Sequence, residues 1–71
     1  MEKKLIYIAD DEKNIRLLIK SFLENAGYMV RLFENGDLLY QAFEKQVPDL
    51  IVIDIMMPGT DGLSILEKIR N

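Results

Sequence analysis

Acidic side chains follow two apolar runs of the sequence, at the point where each run ends. Asp10 and Asp11 come directly after Leu5–Ala9, and Asp54 comes directly after Leu50–Ile53. In open parallel α/β sheets, ligands bind beyond the carboxyl ends of the strands. Right-handed crossovers bring neighbouring parallel strands out at the same edge, so we expect the three carboxylates to lie close together if the two strands are neighbours.

Three carboxylates at one point repel each other, which favours protonation or a bound divalent cation. A like-charged pair about 4 Å apart costs roughly 4 kcal/mol at an effective dielectric constant of about 20. The chain contains no His and no Cys, so any metal ligands must be oxygens, which favours Mg²⁺ or Ca²⁺ over zinc or copper. Mg²⁺ suits this set because it needs few carboxylates and keeps several waters or phosphate oxygens.

Each acidic residue also has a purely structural interpretation. Asp10 or Asp11 could cap a helix that starts near Lys13. Asp54 could be a turn residue that ends a strand, and Glu12 is a favourable charge in a first helical turn. Both strands end in Asp at the same predicted sheet edge. A purely structural role for all of these acidic residues together is therefore less favoured than a metal site.

The predicted elements follow the order β-α-β-α-β-α with short connections, which is typical of a parallel α/β sheet. The two continuous apolar runs predict buried strands, and Met29–Phe33 predicts a third strand by its alternation. Gly27 lies where a left-handed C-terminal helix cap is expected. The helix before it is predicted from apolar residues at helical spacing. These residues are Ile15, Leu18, Ile19, Phe22, Leu23 and Ala26.

Two further helices complete the prediction. Asp37 is the predicted N-cap of a helix that runs through Gln46, and Pro48 ends that helix. Asp61 is the predicted cap of the last helix. The apolar residues of that helix are Leu63, Leu66 and Ile69. With 71 residues, we expect one small domain over residues 1–71 and no second domain.

Composition and charge exclude several classes of function. The formal net charge is −3 and the acidic and basic residues are interspersed, whereas a nucleic-acid surface needs a clustered positive patch. The apolar runs are far shorter than a membrane span, and the N-terminus does not have the layout of a signal peptide. We therefore expect no nucleic-acid contact by this segment, no membrane insertion and a cytoplasmic location.

The sequence resembles the receiver domain of bacterial response regulators along its whole length. Three segments carry the resemblance: Ile8–Glu12, Pro48–Asp54 and Met57–Gly62. Their spacing and strand context match together, which is more specific than any single motif. The resemblance implies a truncated flavodoxin-like fold, in which a three-stranded parallel sheet has the order 2-1-3.

The resemblance also implies a role for each site residue. It makes Asp54 the phosphoacceptor and makes Asp10 and Asp11 the acidic pair that holds Mg²⁺, with one contact through water. Met56 matches the position that offers its backbone carbonyl to the metal. The implied chemistry is phosphoryl transfer to Asp54 from a phosphohistidine on a sensor histidine kinase or from a small donor, and the segment itself is not an enzyme.

In the family pattern, two further strands with their helices would follow Asn71. With them would come a hydroxyl residue, an aromatic switch residue and a lysine that pairs with phosphate. The third strand then has one bare edge here, and a bare apolar strand edge is a template for pairing with another chain. We expect the fragment to form a homo-oligomer by sheet extension or exchange across this strand. Many response regulators carry a DNA-binding output module, so we also expect the parent protein to regulate transcription.

Three other functions compete with this interpretation. A Mg²⁺-dependent phosphohydrolase with an aspartyl-phosphate intermediate typically has a second Asp two residues after the nucleophile, where this chain has Met56. A nucleotide-binding module needs a Gly-rich turn after the first strand, where Asp10–Glu12 has the wrong charge for a phosphate. A structural half-domain that self-associates and is not phosphorylated shares every motif with the leading interpretation.

Overall fold

A computed structural model of the chain describes residues 3–54 and 62–70. Strands and helices alternate along the chain, as the sequence predicts. The strands are β1 (Leu5–Ala9), β2 (Met29–Phe33) and β3 (Leu50–Ile53). The helices are α1 (Lys13–Asn25), α2 (Gly36–Lys45) and α3 (Gly62–Arg70). None of the helices in these described ranges has the length and apolar content that a membrane crossing requires.

The three strands form one parallel sheet in the order β2-β1-β3, which confirms the predicted topology. At its carboxyl end, β1 places Ala9 opposite Phe33 of β2 and opposite Ile53 of β3. The three strands therefore end level with one another. The residues that follow β1 and β3, which are Asp10 and Asp54, leave the sheet at the same edge.

The main core lies on the face of the sheet that α2 and α3 cover. Its buried residues are Leu5, Tyr7, Ala9, Phe33 and Leu39, with Ala42, Phe43, Ile51, Ile53 and Ile69 packed against them. Tyr7 is buried, and its ring meets that of Phe33 edge-on with the centroids 5.1 Å apart. The Tyr7 hydroxyl donates a hydrogen bond to the Gln46 carbonyl at 2.9 Å, so the burial of this tyrosine leaves no unsatisfied polar group.

Helix α1 covers the opposite face only in part. Ile19 and Leu23 are half-buried, but Ile15, Leu18 and Phe22 are 41%, 67% and 73% exposed. These residues all belong to the apolar side of α1 that the sequence predicts, and that side is therefore covered only in part. Helical spacing shows that they share a side of the helix, but it does not show whether another element lies beside that side.

Strand β3 is also less buried than its apolar sequence predicts. Ile51 and Ile53 pack on the core, whereas Leu50 and Val52 are 54% and 38% exposed. Alternate residues of a strand point to opposite faces, and the face that carries Leu50 and Val52 is the one on the α1 side. The prediction of a strand buried on both faces was wrong for this face.

The helix ends show which of the predicted caps form. Asn35, not Asp37, is the N-cap of α2, and its side chain accepts a hydrogen bond from the Leu38 N–H at 2.9 Å. Asp37 lies in the first turn of the helix, so its predicted capping role was wrong. Both residue types favour the cap position, so composition alone does not choose between two sites this close. Gly27 has φ of +99°, which confirms the left-handed cap, whereas Asp61 lies outside the described residues.

Candidate metal centre

Three carboxylates converge at the carboxyl edge of the sheet. Asp10, Asp11 and Asp54 each offer one oxygen, and the three oxygens lie within 4.8 Å of one another. Asp10 and Asp54 are half-buried and Asp11 is exposed. The juxtaposition expected from the two strand ends is therefore present. It follows from the level ends of β1 and β3, because Asp10 and Asp54 are the first residues beyond neighbouring parallel strands.

Backbone hydrogen bonds hold Asp10 between β2 and the start of α1. Its N–H donates to the Phe33 carbonyl at 3.2 Å. Its Oδ1 accepts from the Glu12 N–H at 2.8 Å, which fixes the side chain in a tight local turn. Glu12 is the N-cap residue of α1 and makes no side-chain capping bond. Neither Asp10 nor Asp11 is therefore the N-cap that the structural interpretation offered.

Asp54 is attached to the central strand. Its N–H donates to the Ala9 carbonyl at 3.0 Å, so the bonding between β3 and β1 continues one residue beyond the end of β3. This bond connects Asp54, the residue directly after β3, to β1, the strand that leads into Asp10 and Asp11. The Cα positions of Asp10 and Asp54 therefore depend on the sheet, whereas Asp11 lies in the short connection between β1 and α1.

Arg16 is a site neighbour that the sequence interpretation missed. Its Nη1 donates to the Asp10 carbonyl at 2.7 Å, which places a guanidinium beside the acidic cluster. A positive charge there reduces the repulsion among the carboxylates. Arg16 belongs to the first turns of α1, and helical spacing alone does not indicate contact with a strand end. Only the turn of the chain between β1 and α1 brings the two residues together.

The donor set fits Mg²⁺. In an octahedral site with bonds of about 2.1 Å, opposite ligand atoms are about 4.2 Å apart. The carboxylate oxygens lie within 4.8 Å of one another, a separation comparable to this, so one ion of this size could contact more than one of them. An oxygen-only set of this kind suits Mg²⁺ better than a transition metal. Met56, the predicted backbone ligand, lies outside the described residues, and its role stays a prediction.

The fold and this site define the class of protein: a parallel α/β module with a cluster of three carboxylates at the carboxyl edge of its sheet. The family model for the response regulator receiver domain matches residues 6–71. The chain therefore belongs to the response regulator receiver family, which confirms the resemblance seen in the sequence.

Curated relatives are similar over nearly the whole chain. The DNA-binding transcriptional regulator NtrC of Escherichia coli K12 is 36% identical over 70 residues, which are 99% of this chain and 15% of NtrC. The transcriptional regulatory protein ResD of Bacillus subtilis is 42% identical over 65 residues, which are 92% of this chain and 27% of ResD. The chain thus spans less than a third of the length of either relative.

Solved structures share the fold. The N-terminal domain of a response regulator receiver protein from Methanoculleus marisnigri superposes with a TM-score of 0.91 at 31% identity, covering 99% of this chain and 57% of that one. TrrA of Thermotoga maritima, solved in complex with Mg²⁺ and BeF, gives a TM-score of 0.89 at 42% identity, covering 94% of this chain and 58% of that one. TrrA bound to the histidine kinase ThkA gives a TM-score of 0.88.

Proposed function

We propose that this segment accepts a phosphoryl group on Asp54, with Mg²⁺ held by the carboxylates of Asp10, Asp11 and Asp54 and the backbone carbonyl of Met56. The observation that carries the proposal is the convergence of three carboxylate oxygens within 4.8 Å in a chain of the receiver family. The complex of the similar protein TrrA with Mg²⁺ and BeF supports the choice of metal.

The chemistry requires positioning and charge neutralisation more than covalent help from the protein. A carboxylate oxygen of Asp54 attacks the phosphorus of a phosphohistidine. The P–O bond forms as the N–P bond breaks, and the imidazole nitrogen of the donor keeps the electron pair. The bond from the Asp54 N–H to Ala9 holds the nucleophile at the sheet edge. When bound, Mg²⁺ supplies positive charge to the phosphoryl oxygens.

The phosphodonor is, by this proposal, a sensor histidine kinase in the cytoplasm. The complex of TrrA with the kinase ThkA supports a partner of this kind. The segment is a substrate of the transfer and not an enzyme that turns over. The names of NtrC and ResD as transcriptional regulators support a parent protein that regulates transcription through an output domain, which alone would contact DNA.

The experiment that tests the proposal is intact-mass measurement after incubation with MgCl₂ and acetyl phosphate. A gain of one phosphoryl group that is lost with Asp54→Asn supports it. Asp37→Asn is the matched control, because Asp37 is an exposed carboxylate in the first turn of α2. A folded chain with no mass gain would contradict the proposal and favour the alternative, a structural half-domain that is not phosphorylated.

Self-association is a second proposal, and the α1 face of the sheet supports it. Exposed large apolar side chains lie on both elements of this side of the molecule: Leu18 and Phe22 on α1, and Leu50 and Val52 on β3. β3 is also an edge strand of the three-stranded sheet. An apolar edge beside an apolar face favours pairing with another copy of the chain, by sheet extension or exchange across β3.

A further inference from the structure

Asp49 forms two hydrogen bonds with Leu5 at the amino end of the sheet. The Asp49 N–H donates to the Leu5 carbonyl at 2.8 Å. In return, the Leu5 N–H donates to Asp49 Oδ2 at 2.7 Å. Asp49 lies directly before β3, and Leu5 is the first residue of β1. A single residue therefore ties the beginnings of these two strands together through both its backbone and its side chain.

The carboxylate supplies an acceptor that the backbone of a longer β3 would otherwise provide. β3 begins at Leu50, and Pro48 two residues earlier has no N–H and restricts the chain before it. The N–H of Leu5, a buried residue, would lose its acceptor without the Asp49 side chain.

The register of β3 against β1 needs such a polar determinant, because the apolar pattern of the two strands does not specify it. Every residue of β1 (LIYIA) and of β3 (LIVI) is apolar. Burial of one face of β3 opposes a slip of one residue, because that slip would turn Ile51 and Ile53 away from the core. A slip of two residues would keep the same side chains on the same faces. It would move Asp54 by roughly 7 Å along the edge of the sheet, which is far outside the reach of a shared Mg²⁺.

We propose that Asp49 is a positioning residue for the metal centre. Through its two bonds to Leu5 it fixes the register that places Asp54 beside Asp10 and Asp11, although it lies roughly 15 Å from them at the other end of the strands. This proposal rests on the proposed function, since the metal centre is the site that it positions. Asp49 does not touch the metal, the phosphoryl group or the reacting oxygen.

The Mg²⁺ affinity of two Asp49 variants and of one control variant tests the proposal. It is measured by titrating MgCl₂ into the ¹⁵N-labelled chain and following the amide resonances of Asp10, Asp11 and Asp54. Asp49→Ala removes the acceptor, and we expect the dissociation constant for Mg²⁺ to rise about tenfold, equivalent to about 1.4 kcal/mol. Asp49→Asn keeps an acceptor oxygen and removes the charge, and we expect affinity close to that of the unsubstituted chain. An Asp49→Asn variant as weak as Asp49→Ala would overturn the proposal, since charge and not hydrogen bonding would then be responsible.

Tyr7→Phe is the matched control for a general loss of stability. It removes one hydrogen bond at the same end of the sheet, from the Tyr7 hydroxyl to the Gln46 carbonyl, without touching the contact between β1 and β3. We expect its Mg²⁺ affinity to stay unchanged even where the chain is destabilised. If Tyr7→Phe and Asp49→Ala weaken Mg²⁺ binding equally, Asp49 has no specific positioning role.

Amide hydrogen exchange separates this proposal from the proposed function. The Asp54 N–H bonds to β1, whereas the Asp10 N–H bonds to Phe33 of β2. If Asp49 fixes β3, then Asp49→Ala raises the exchange rate of the Asp54 amide about tenfold relative to the Asp10 amide. An unchanged ratio overturns the positioning role. If the unsubstituted chain does not bind Mg²⁺, the proposed function is contradicted. The ratio of the Asp54 and Asp10 exchange rates still shows in that case whether Asp49 positions β3.

Discussion

The backbone N–H of Asp54 donates a hydrogen bond to the carbonyl of Ala9 at 3.0 Å. This bond joins the candidate phosphoacceptor to the strand that leads directly into Asp10 and Asp11. The acidic centre is consequently part of the sheet, and its geometry depends on strand pairing. Substitutions that disturb the strands should therefore affect the centre, whereas those in α2 and α3 should affect mainly stability.

Asp11→Asn should have opposite effects on stability with and without Mg²⁺. In a chelator, the substitution removes one of three mutually repelling carboxylates, so we expect the free energy of unfolding to rise by a few tenths of a kcal/mol, a small value because Asp11 is exposed. With saturating Mg²⁺, the loss of a ligand should reverse the sign of the change. Urea denaturation under both conditions measures it. A variant with the same Mg²⁺ response as the unsubstituted chain would exclude Asp11 from the metal centre.

Asn35→Ala should destabilise the fold by about 1 kcal/mol, because it removes the acceptor that caps α2. The side chain of Asn35 accepts from the Leu38 N–H at 2.9 Å. Asn35→Asp should retain stability, since aspartate also accepts this bond. Asp37→Ala, the residue that the sequence favoured as the cap, should cost less. Urea denaturation ranks the three variants, and a larger loss for Asp37→Ala would contradict the observed cap.

Gly27→Ala should cost about 1 kcal/mol through backbone strain alone. Gly27 has φ of +99°, and an added Cβ would meet no other atom within 4 Å. The cost arises because side chains disfavour this left-handed conformation. Gly27→Asn should cost less, since asparagine tolerates positive φ better. Thermal or urea denaturation measures both substitutions, and equal stability of all three chains would show that Gly27 does not need this conformation.

Phe22→Ser should weaken self-association. Burial of a large apolar side chain is worth about 1.5–3 kcal/mol, so its loss should lower the association constant at least about tenfold. Leu63→Ser is the matched control, because Leu63 is equally an exposed apolar residue but lies on α3. Sedimentation equilibrium measures both variants, with circular dichroism to confirm that they fold. An unsubstituted chain that is folded and monomeric at micromolar concentration would contradict the self-association proposal.

Local patterns in the sequence were sufficient to predict the strands and their acidic ends. Two short apolar runs end abruptly at Asp, and the observed strands β1 (Leu5–Ala9) and β3 (Leu50–Ile53) coincide with them. The sheet order follows from the handedness of parallel crossovers together with the family resemblance. For the same reason the closeness of Asp10, Asp11 and Asp54 was predictable, because neighbouring parallel strands deliver their ends to one edge.

The tertiary structure alone decided which residues of each element are covered and which polar groups meet across the fold. Helical spacing placed Leu18 and Phe22 on one side of α1, but their exposure depends on what packs beside the helix. The contacts of Arg16 with Asp10 and of Asp49 with Leu5 join residues on different elements. Periodicity describes one element at a time, so the sequence by itself determined the elements and their acidic ends, and the packing of the elements determined these contacts.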